Sequence, residues 1–431
     1  MKYRLKHGLI AAVVLLVFAV QGCATKSDIG PQIAPAKKLE LGNWDKFNYE
    51  QLNKLIAKYG KSSANYNPAK QPYVVFDWDN TCVFLDIEEA ALIYQLENLV
   101  FGMTPSQLNK AIRMSLSDKN FDKDYNNAAG EPVNIDKVAP DIVASYTWLY
   151  NNYKGLKGGK SLSEVKKSPH YGNFITKMRY LYDAIGGTFD VSVSYPWVTY
   201  LFTGMTEAQV RDLTVKTVNW QLTQPVESVK WTSPATLPGK AGVVSISWKN
   251  GLRLVPEMQD LFHKLRDSGF DVWICSASFV DVVKEISSNP KFGYDNSDKK
   301  VMAMELERNA RGVIQTEYRK GYDQTQGKGK TKTIERFLVS KFGYGPIFVA
   351  GDSEGDQDML QDFTDMKLGL IINRYRKPTT AIGKQSKLAV ESYGKRDAKY
   401  LLQGRDDNKG IFVPSQNHYS LGSPEPKLLR K

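Results

Sequence analysis

The segment Phe76-Asp77-Trp78-Asp79-Asn80-Thr81 sets two carboxylates one residue apart, directly after the apolar run Tyr73-Val74-Val75-Phe76. Where a strand gives way to a loop, such a pair can divide its work. One carboxylate attacks, the other serves as acid and base, and its backbone carbonyl is free for a metal. A hard cation such as Mg²⁺ needs further oxygen ligands. Gly351-Asp352-Ser353-Glu354-Gly355-Asp356 supplies them after a second apolar run, Ile347 to Ala350. A third run, Val272-Trp273-Ile274-Cys275, ends in Ser276 and Ala277, which offer a hydroxyl and backbone N–H groups to an anion. Lys330, in Gly329-Lys330-Thr331-Lys332-Thr333-Ile334, stands at an expected helix N-terminus, where dipole and ammonium both favour phosphate. Any one of these pieces alone reads as a strand-end turn or a solvated charge.

These residues need a scaffold that brings strand ends together. The three runs, with a fourth from Leu368 to Ile372, alternate with helical patterns. Pro256–Ser268 aligns Met258, Leu261, Phe262 and Leu265 on one face, and Thr333–Phe342 is similar. That alternation predicts an α/β fold with a doubly wound parallel sheet. Asn48–Tyr59, with Leu52, Leu55 and Ile56 on one face, predicts a short helix before it. The core is expected over 71–88 and 245–402, with 23–70 as tether and first helix. Residues 89–244 are too many for a loop and predict an inserted, mainly helical cap. Thr104-Pro105-Ser106-Gln107 and Thr206-Glu207-Ala208-Gln209 read there as capping boxes. The cap is aromatic-rich, with Tyr146, Trp148, Tyr150, Tyr195, Trp197, Tyr200, Phe202 and Trp220. Asn250-Gly251 reads as a hairpin turn back into the core, and 403–431 as a loose polar tail.

The chain has 431 residues with 58 Lys and Arg against 46 Asp and Glu, hence +12. The bases are scattered, which predicts a solvated basic surface and no nucleic-acid partner. His7, His170, His263 and His418 lack H-x-x-x-H spacing and the cysteines number 3, so a metal must be held by carboxylates. Lys2, Arg4 and Lys6 precede an apolar run from Gly8 to Val20, the core of a signal peptide over 1–22. Gln21-Gly22-Cys23 resembles a bacterial lipobox. It implies an exported lipoprotein held by a lipid on Cys23 to a membrane, facing the periplasm or the cell surface.

The four chemical pieces, in this order, resemble the motifs of the haloacid dehalogenase superfamily of phosphotransferases. Asp77, Asp79 and Thr81 match D-x-D-x-[TV]; Ser276, Lys330 and the pair Asp352 and Asp356 match the second, third and fourth motifs. The resemblance implies that Asp77 takes the phosphoryl group and that Asp79 protonates the leaving oxygen and then activates water. It further implies that Asp77, the Asp79 carbonyl and Asp352 hold Mg²⁺ with support from Asp356, and that Ser276, Ala277 and Lys330 bind phosphate. Phe76–Thr81, Cys275–Ser278, Tyr195-Pro196-Trp197 and Phe202–Thr206 are similar to bacterial phosphorylcholine phosphatases and the phosphoserine phosphatase-like branch. A small phosphomonoester substrate is thus implied, phosphorylcholine among them, because cap aromatics suit a quaternary ammonium.

Two other readings compete. Gly351-Asp352-Ser353-Glu354-Gly355 fits the G-x-S-x-G elbow of serine hydrolases, with His418 downstream, but it leaves Asp77, Asp79 and Lys330 without a task. A non-catalytic surface lipoprotein could bind a ligand on the same scaffold. Metal-dependent hydrolysis of an aryl phosphate separates that reading from an enzyme.

Overall fold

The computed structural model describes residues 38–431. The expected signal peptide and Cys23 lie outside them. Among the described residues, no helix is long and apolar enough to cross a membrane.

Six parallel strands make the central sheet. In chain order they are β1 (Tyr73–Phe76), β2 (Asp271–Phe279), β3 (Val301–Met304), β4 (Phe348–Gly351), β5 (Leu368–Ile372) and β6 (Tyr400–Gln403). Their spatial order is β6-β5-β4-β1-β2-β3, with every neighbouring pair parallel. Strand periodicity divides the side chains between two cores. Val74, Phe76, Val272, Ile274, Phe348, Ala350 and Leu370 face one cluster, which runs on into the inserted helices. Tyr73, Val75, Cys275, Val349 and Ile371 face the other. Both faces are covered, so each strand reads as an unbroken apolar run. Chain order reverses between β1 and β4, the switch point where doubly wound sheets open a crevice.

Between β1 and β2 the chain inserts a helical cap that includes Ile87–Asn98, Ile135–Asn152, Pro169–Thr188 and Glu207–Gln221. Both expected capping boxes form, at Thr104–Gln107 and Thr206–Gln209. The fold is the expected α/β core with a helical cap after its first strand. Lys46–Tyr59 forms the first helix, burying Leu52, Leu55 and Ile56.

Three expectations need correction. Asn250-Gly251 is no hairpin turn: Ser245–Asn250 pairs back with Glu227–Thr232, and Arg253–Leu254 pairs instead with Val83–Phe84. Gly251 has φ +103°, and a Cβ there would lie 2.5 Å from the Pro225 oxygen, so the chain crosses itself where only glycine fits. The helix expected from Thr333 begins earlier, at Lys328, and passes through a π-turn at Glu335–Val339.

Residues 403–431 are not loose. Arg405–Asp406, Ile411–Phe412, His418–Tyr419 and Pro426–Lys427 form a four-stranded sheet against the core. Arg405 is 2% exposed, donates to Asp407 Oδ1 at 2.8 Å and to Asn80 Oδ1 at 3.1 Å, and lies over the Phe84 ring. The sequence looked weak because polar side chains, satisfied by one another, make this contact. Removing one member of a buried ion pair costs about 3–5 kcal/mol. Asp407→Ala is therefore expected to lower the unfolding free energy by about that much in a denaturant titration, whereas a loose segment would give under about 0.5 kcal/mol.

Candidate functional site

The C-terminal ends of β1, β2 and β4 open into a cavity of about 600 Å³ beneath the cap. Asp77 leaves β1 there, its N–H still bonded to Ala350 O of β4 at 2.9 Å. Asn80, at φ +60°, turns the chain back, in a left-handed conformation that asparagine tolerates better than most residues. Thr81 Oγ1 then lies 2.8 Å from Asp77 Oδ2 and 3.2 Å from Asp352 Oδ1. Asp352 follows β4 directly. Gly351 admits Asp356 beside it, since a Cβ at 351 would sit 2.5 Å from the Asp356 Cβ.

Lys330, 1% exposed, reaches down from the first turn of its helix. Its ammonium donates to Asp77 Oδ1 at 2.5 Å and Asp356 Oδ1 at 2.7 Å. Burial opposes that charge, yet Asp356 and Asp77 hold the pKa above the usual lysine range. Burial, and then Asp356, push the Asp77 carboxyl well above the usual carboxylate range, and Lys330 offsets only part of that. Asp356 Oδ2 accepts from the Asp352 and Ser353 N–H groups at 3.0 Å each. Arg374 donates to Asp352 Oδ2 at 2.6 Å, and against burial, the largest influence, the Arg374, Arg376 and Arg405 charges together keep that carboxyl below the usual range.

Asp79 turns another way. Its Oδ1 accepts from the Ile87 N–H and its Oδ2 from the Ser278 hydroxyl, both at 2.7 Å. Burial, with the Asp86 charge second, raises its pKa well above that of a free carboxyl. Two carboxyls two residues apart thus meet different surroundings, one ion-paired and the other hydrogen-bonded, while burial pushes both up.

Asp77, Asp352 and Asp356 each present an oxygen within 4.8 Å of the others, all buried. Three carboxylates among hard donors, with no histidine or thiol, fit Mg²⁺. The Asp79 carboxylate stands outside that group. Ser276 is 0% exposed, and its Oγ accepts from the Ser278 N–H at 3.1 Å. The register of β2 against β3 shifts between Cys275 and Phe279, and this bulge presents Ala277 and Ser278 to the cavity. Cys82 and Cys275 are buried free thiols. The serine-hydrolase reading fails on geometry: Ser353 Oγ donates to Asp356, while His418 bonds the Asn373 carbonyl and stacks on Tyr375. Burial holds His418 neutral, with its pKa lowered to about 4.

The sequence reading missed Ser278, Arg374 and Arg376, and the wall formed by Asp86, Glu89, Tyr182 and Asp183. Strand-end motifs do not extend to Arg374, which sits in a loop beyond β5, nor to the cap side of the cavity. Of the cap aromatics singled out, Tyr195 lines the cavity, while Tyr146, Trp197, Tyr200 and Phe202 are buried packing.

No family model matches the chain. A solved structure of a conserved, functionally unknown protein from Anaerococcus prevotii is 34% identical with TM-score 0.82, covering 89% of this chain and 98% of that one. This chain belongs to the same family. Phosphorylcholine phosphatase of Pseudomonas aeruginosa is 22% identical over 297 residues, 69% of this chain. The match spans 60% of that protein's length.

Asp86 ties the electrostatics to a measurement. It caps the Ile87–Asn98 helix, and burial, reinforced by Glu89, pushes its pKa from 3.8 to about 7. A folded pKa above the unfolded one makes the charged form a penalty, absent below about pH 4 and complete above about pH 7. Asp86→Asn, which keeps the capping oxygen, should therefore match the wild type in denaturant titrations near pH 4. It should become progressively the more stable of the two toward pH 8. A constant offset across that range would contradict the shift.

Proposed function

We propose that the protein is a Mg²⁺-dependent phosphatase that hydrolyses a small phosphomonoester through an aspartyl-phosphate on Asp77. The observation that carries this reading is the divided environment of Asp77 and Asp79. Asp77 is ion-paired with Lys330 at the floor of the cavity, placed to attack, whereas Asp79 is held apart by the Ile87 N–H and the Ser278 hydroxyl, placed to carry a proton. The resemblance of the four motifs to the haloacid dehalogenase superfamily supports it.

In the first half-reaction an Asp77 carboxylate oxygen forms a bond to phosphorus as the bond to the ester oxygen breaks. The Asp79 proton passes to that oxygen, which leaves as an alcohol. In the second, Asp79, now a carboxylate, takes a proton from water as the water oxygen attacks phosphorus. Asp77 is freed and inorganic phosphate leaves. Lys330 lies against Asp77 throughout and opposes charge on the phosphoryl oxygens. Ser278 holds Asp79 in position. Mg²⁺ held by Asp77, Asp352 and Asp356 would supply charge neutralisation for the transferring group.

The cap side of the cavity suits a cationic leaving group. Asp86, Glu89 and Asp183 face it beside the Tyr125 and Tyr195 rings, with Arg179 paired to Glu89 and Asp183 and lying over the Tyr182 ring, so three carboxylates meet one cation there. Carboxylates and aromatic faces together favour an ammonium, and each cation–π contact contributes about 0.5–2 kcal/mol. Phosphorylcholine is the specific candidate, a choice that the name of the Pseudomonas relative supports.

The test is a phosphate-release screen over phosphorylcholine, phosphoethanolamine, phosphoserine and an aryl phosphate, with Mg²⁺ and with EDTA. Release should require Mg²⁺, vanish in Asp77→Asn, and fall about 10²–10⁴-fold in kcat in Asp79→Asn. Folded protein that releases phosphate from none of them would instead favour a ligand-binding module.

A further inference from the structure

Three bases line the cavity among its described residues: Lys330, Arg374 and Arg376. Two are committed. Lys330 is shared between Asp77 and Asp356, and Arg374 is paired with Asp352 at 2.6 Å. Arg376 has neither an ion pair nor a side-chain hydrogen bond among the described residues, and its Nε is buried without a partner. A buried guanidinium N–H left without a partner carries a desolvation cost, which native structures rarely accept unexplained. The Asp352 and Glu354 charges favour Arg376 without bonding it, and they do not outweigh burial and Arg374. Asp352 is taken by Arg374, and the Glu354 carboxylate accepts from the Ile382 N–H at 3.1 Å. Burial and the neighbouring Arg374 charge both work against Arg376. An anionic oxygen beside this guanidinium would satisfy the Nε and offset the Arg374 charge.

The opposite wall strengthens the point. Asp86, Glu89 and Asp183 line it, and Arg179, paired with Glu89 and Asp183, leaves more acid than base there, opposite Arg376 in the loop after β5. A bipolar ligand would be oriented along that axis, its anionic end toward Arg376.

We infer that Arg376 is a substrate-binding residue that takes an anionic oxygen group of the ligand through its guanidinium fork. The inference rests on the phosphatase reading for the identity of the substrate, but not for the existence of the anion site. The anion has two sources: the phosphoryl group itself, or a second acidic group on the leaving alcohol. Arginine suits both, since its donors match the oxygen spacing of phosphate and of carboxylate.

The experiment measures binding of inorganic phosphate to the full chain with Mg²⁺ by calorimetry. Beside it, kcat/KM is measured for glycerol 1-phosphate and for 3-phosphoglycerate, which carries an added carboxylate. The proteins are wild type, Arg376→Met, Arg376→Gln and Arg376→Lys. Loss of one charge-assisted contact corresponds to about 10- to 100-fold. If the phosphoryl group is the ligand, Arg376→Met and Arg376→Gln weaken phosphate by that factor and lower kcat/KM for both esters alike. If a second acid is the ligand, phosphate binding is unchanged and the loss falls on 3-phosphoglycerate alone. In either case Arg376→Lys recovers part of the loss, which a merely structural role would not predict. Phosphate affinity and both kcat/KM values within about 2-fold of wild type in Arg376→Met and Arg376→Gln would overturn the inference, as would a wild type that neither binds phosphate nor prefers 3-phosphoglycerate to glycerol 1-phosphate. A wild type that binds phosphate through Arg376 yet hydrolyses no ester would sink the phosphatase reading and leave this one standing.

Discussion

Three carboxylates, those of Asp77, Asp352 and Asp356, converge within 4.8 Å of one another in a buried cavity, and the fold holds them only because cations are built among them. Two like charges 4 Å apart at an effective dielectric of 20 repel by about 4 kcal/mol. Lys330 offsets this for Asp77 and Asp356, and Arg374 does so for Asp352. Each cation arrives from a different crossover of the sheet. Lys330 precedes β4, Arg374 follows β5, and the acids end β1 and β4. The doubly wound order, with its switch point between β1 and β4, brings all of them to one edge. A lysine clamped between two acids is thus a structural necessity before it is a catalytic device.

Asp79 escapes that clamp because the chain turns at Asn80. The turn delivers its carboxyl to the first N–H of the Ile87–Asn98 helix and to Ser278 on the β2 bulge. The C-terminal sheet supports the same turn from outside. Arg405 reaches the Asn80 side chain while its partner Asp407 pairs with Lys249 of the Ser245–Asn250 strand. The geometry after the first strand is therefore held from the helical insertion, from β2 and from the chain's last residues, three segments far apart in sequence.

The core strands were legible because each is an apolar run closed by polar or acidic residues at its catalytic end, as Tyr73–Phe76 before Asp77 shows. Strands β3 and β6 were not. Val301–Met304 and Tyr400–Gln403 are short, and no chemistry marks their ends. Asp77, Asp79 and Asp352 could be picked as carboxylates just beyond apolar runs, and Lys330 and Asp356 only with them, from the order of the four motifs and their resemblance to a known superfamily. The cavity's other side could not. Arg374, Arg376, Asp86 and Tyr182 meet there only after folding, and nothing local separates them from surface charges or packing aromatics. The C-terminal segment misled for a related reason: its buried contacts are polar, and hydrophobic periodicity is blind to them. Ser276 shows a finer limit. It is the first hydroxyl beyond an apolar run, but the bulge also carries Ser278 to Asp79, at 2.7 Å against 3.5 Å for Ser276.

The account turns on Asp77 accepting the phosphoryl group itself, and trapping that species tests it most directly. Asp79→Asn should slow hydrolysis of the intermediate, because the water then lacks its base. Incubated with a ³²P-labelled aryl phosphate and Mg²⁺ and quenched in acid, it should retain label on protein, on the peptide containing Asp77. Hydroxylamine should release that label, and Asp77→Asn should abolish it. Phosphate release from the wild type with no covalent label in any variant would contradict the account and require direct attack by water.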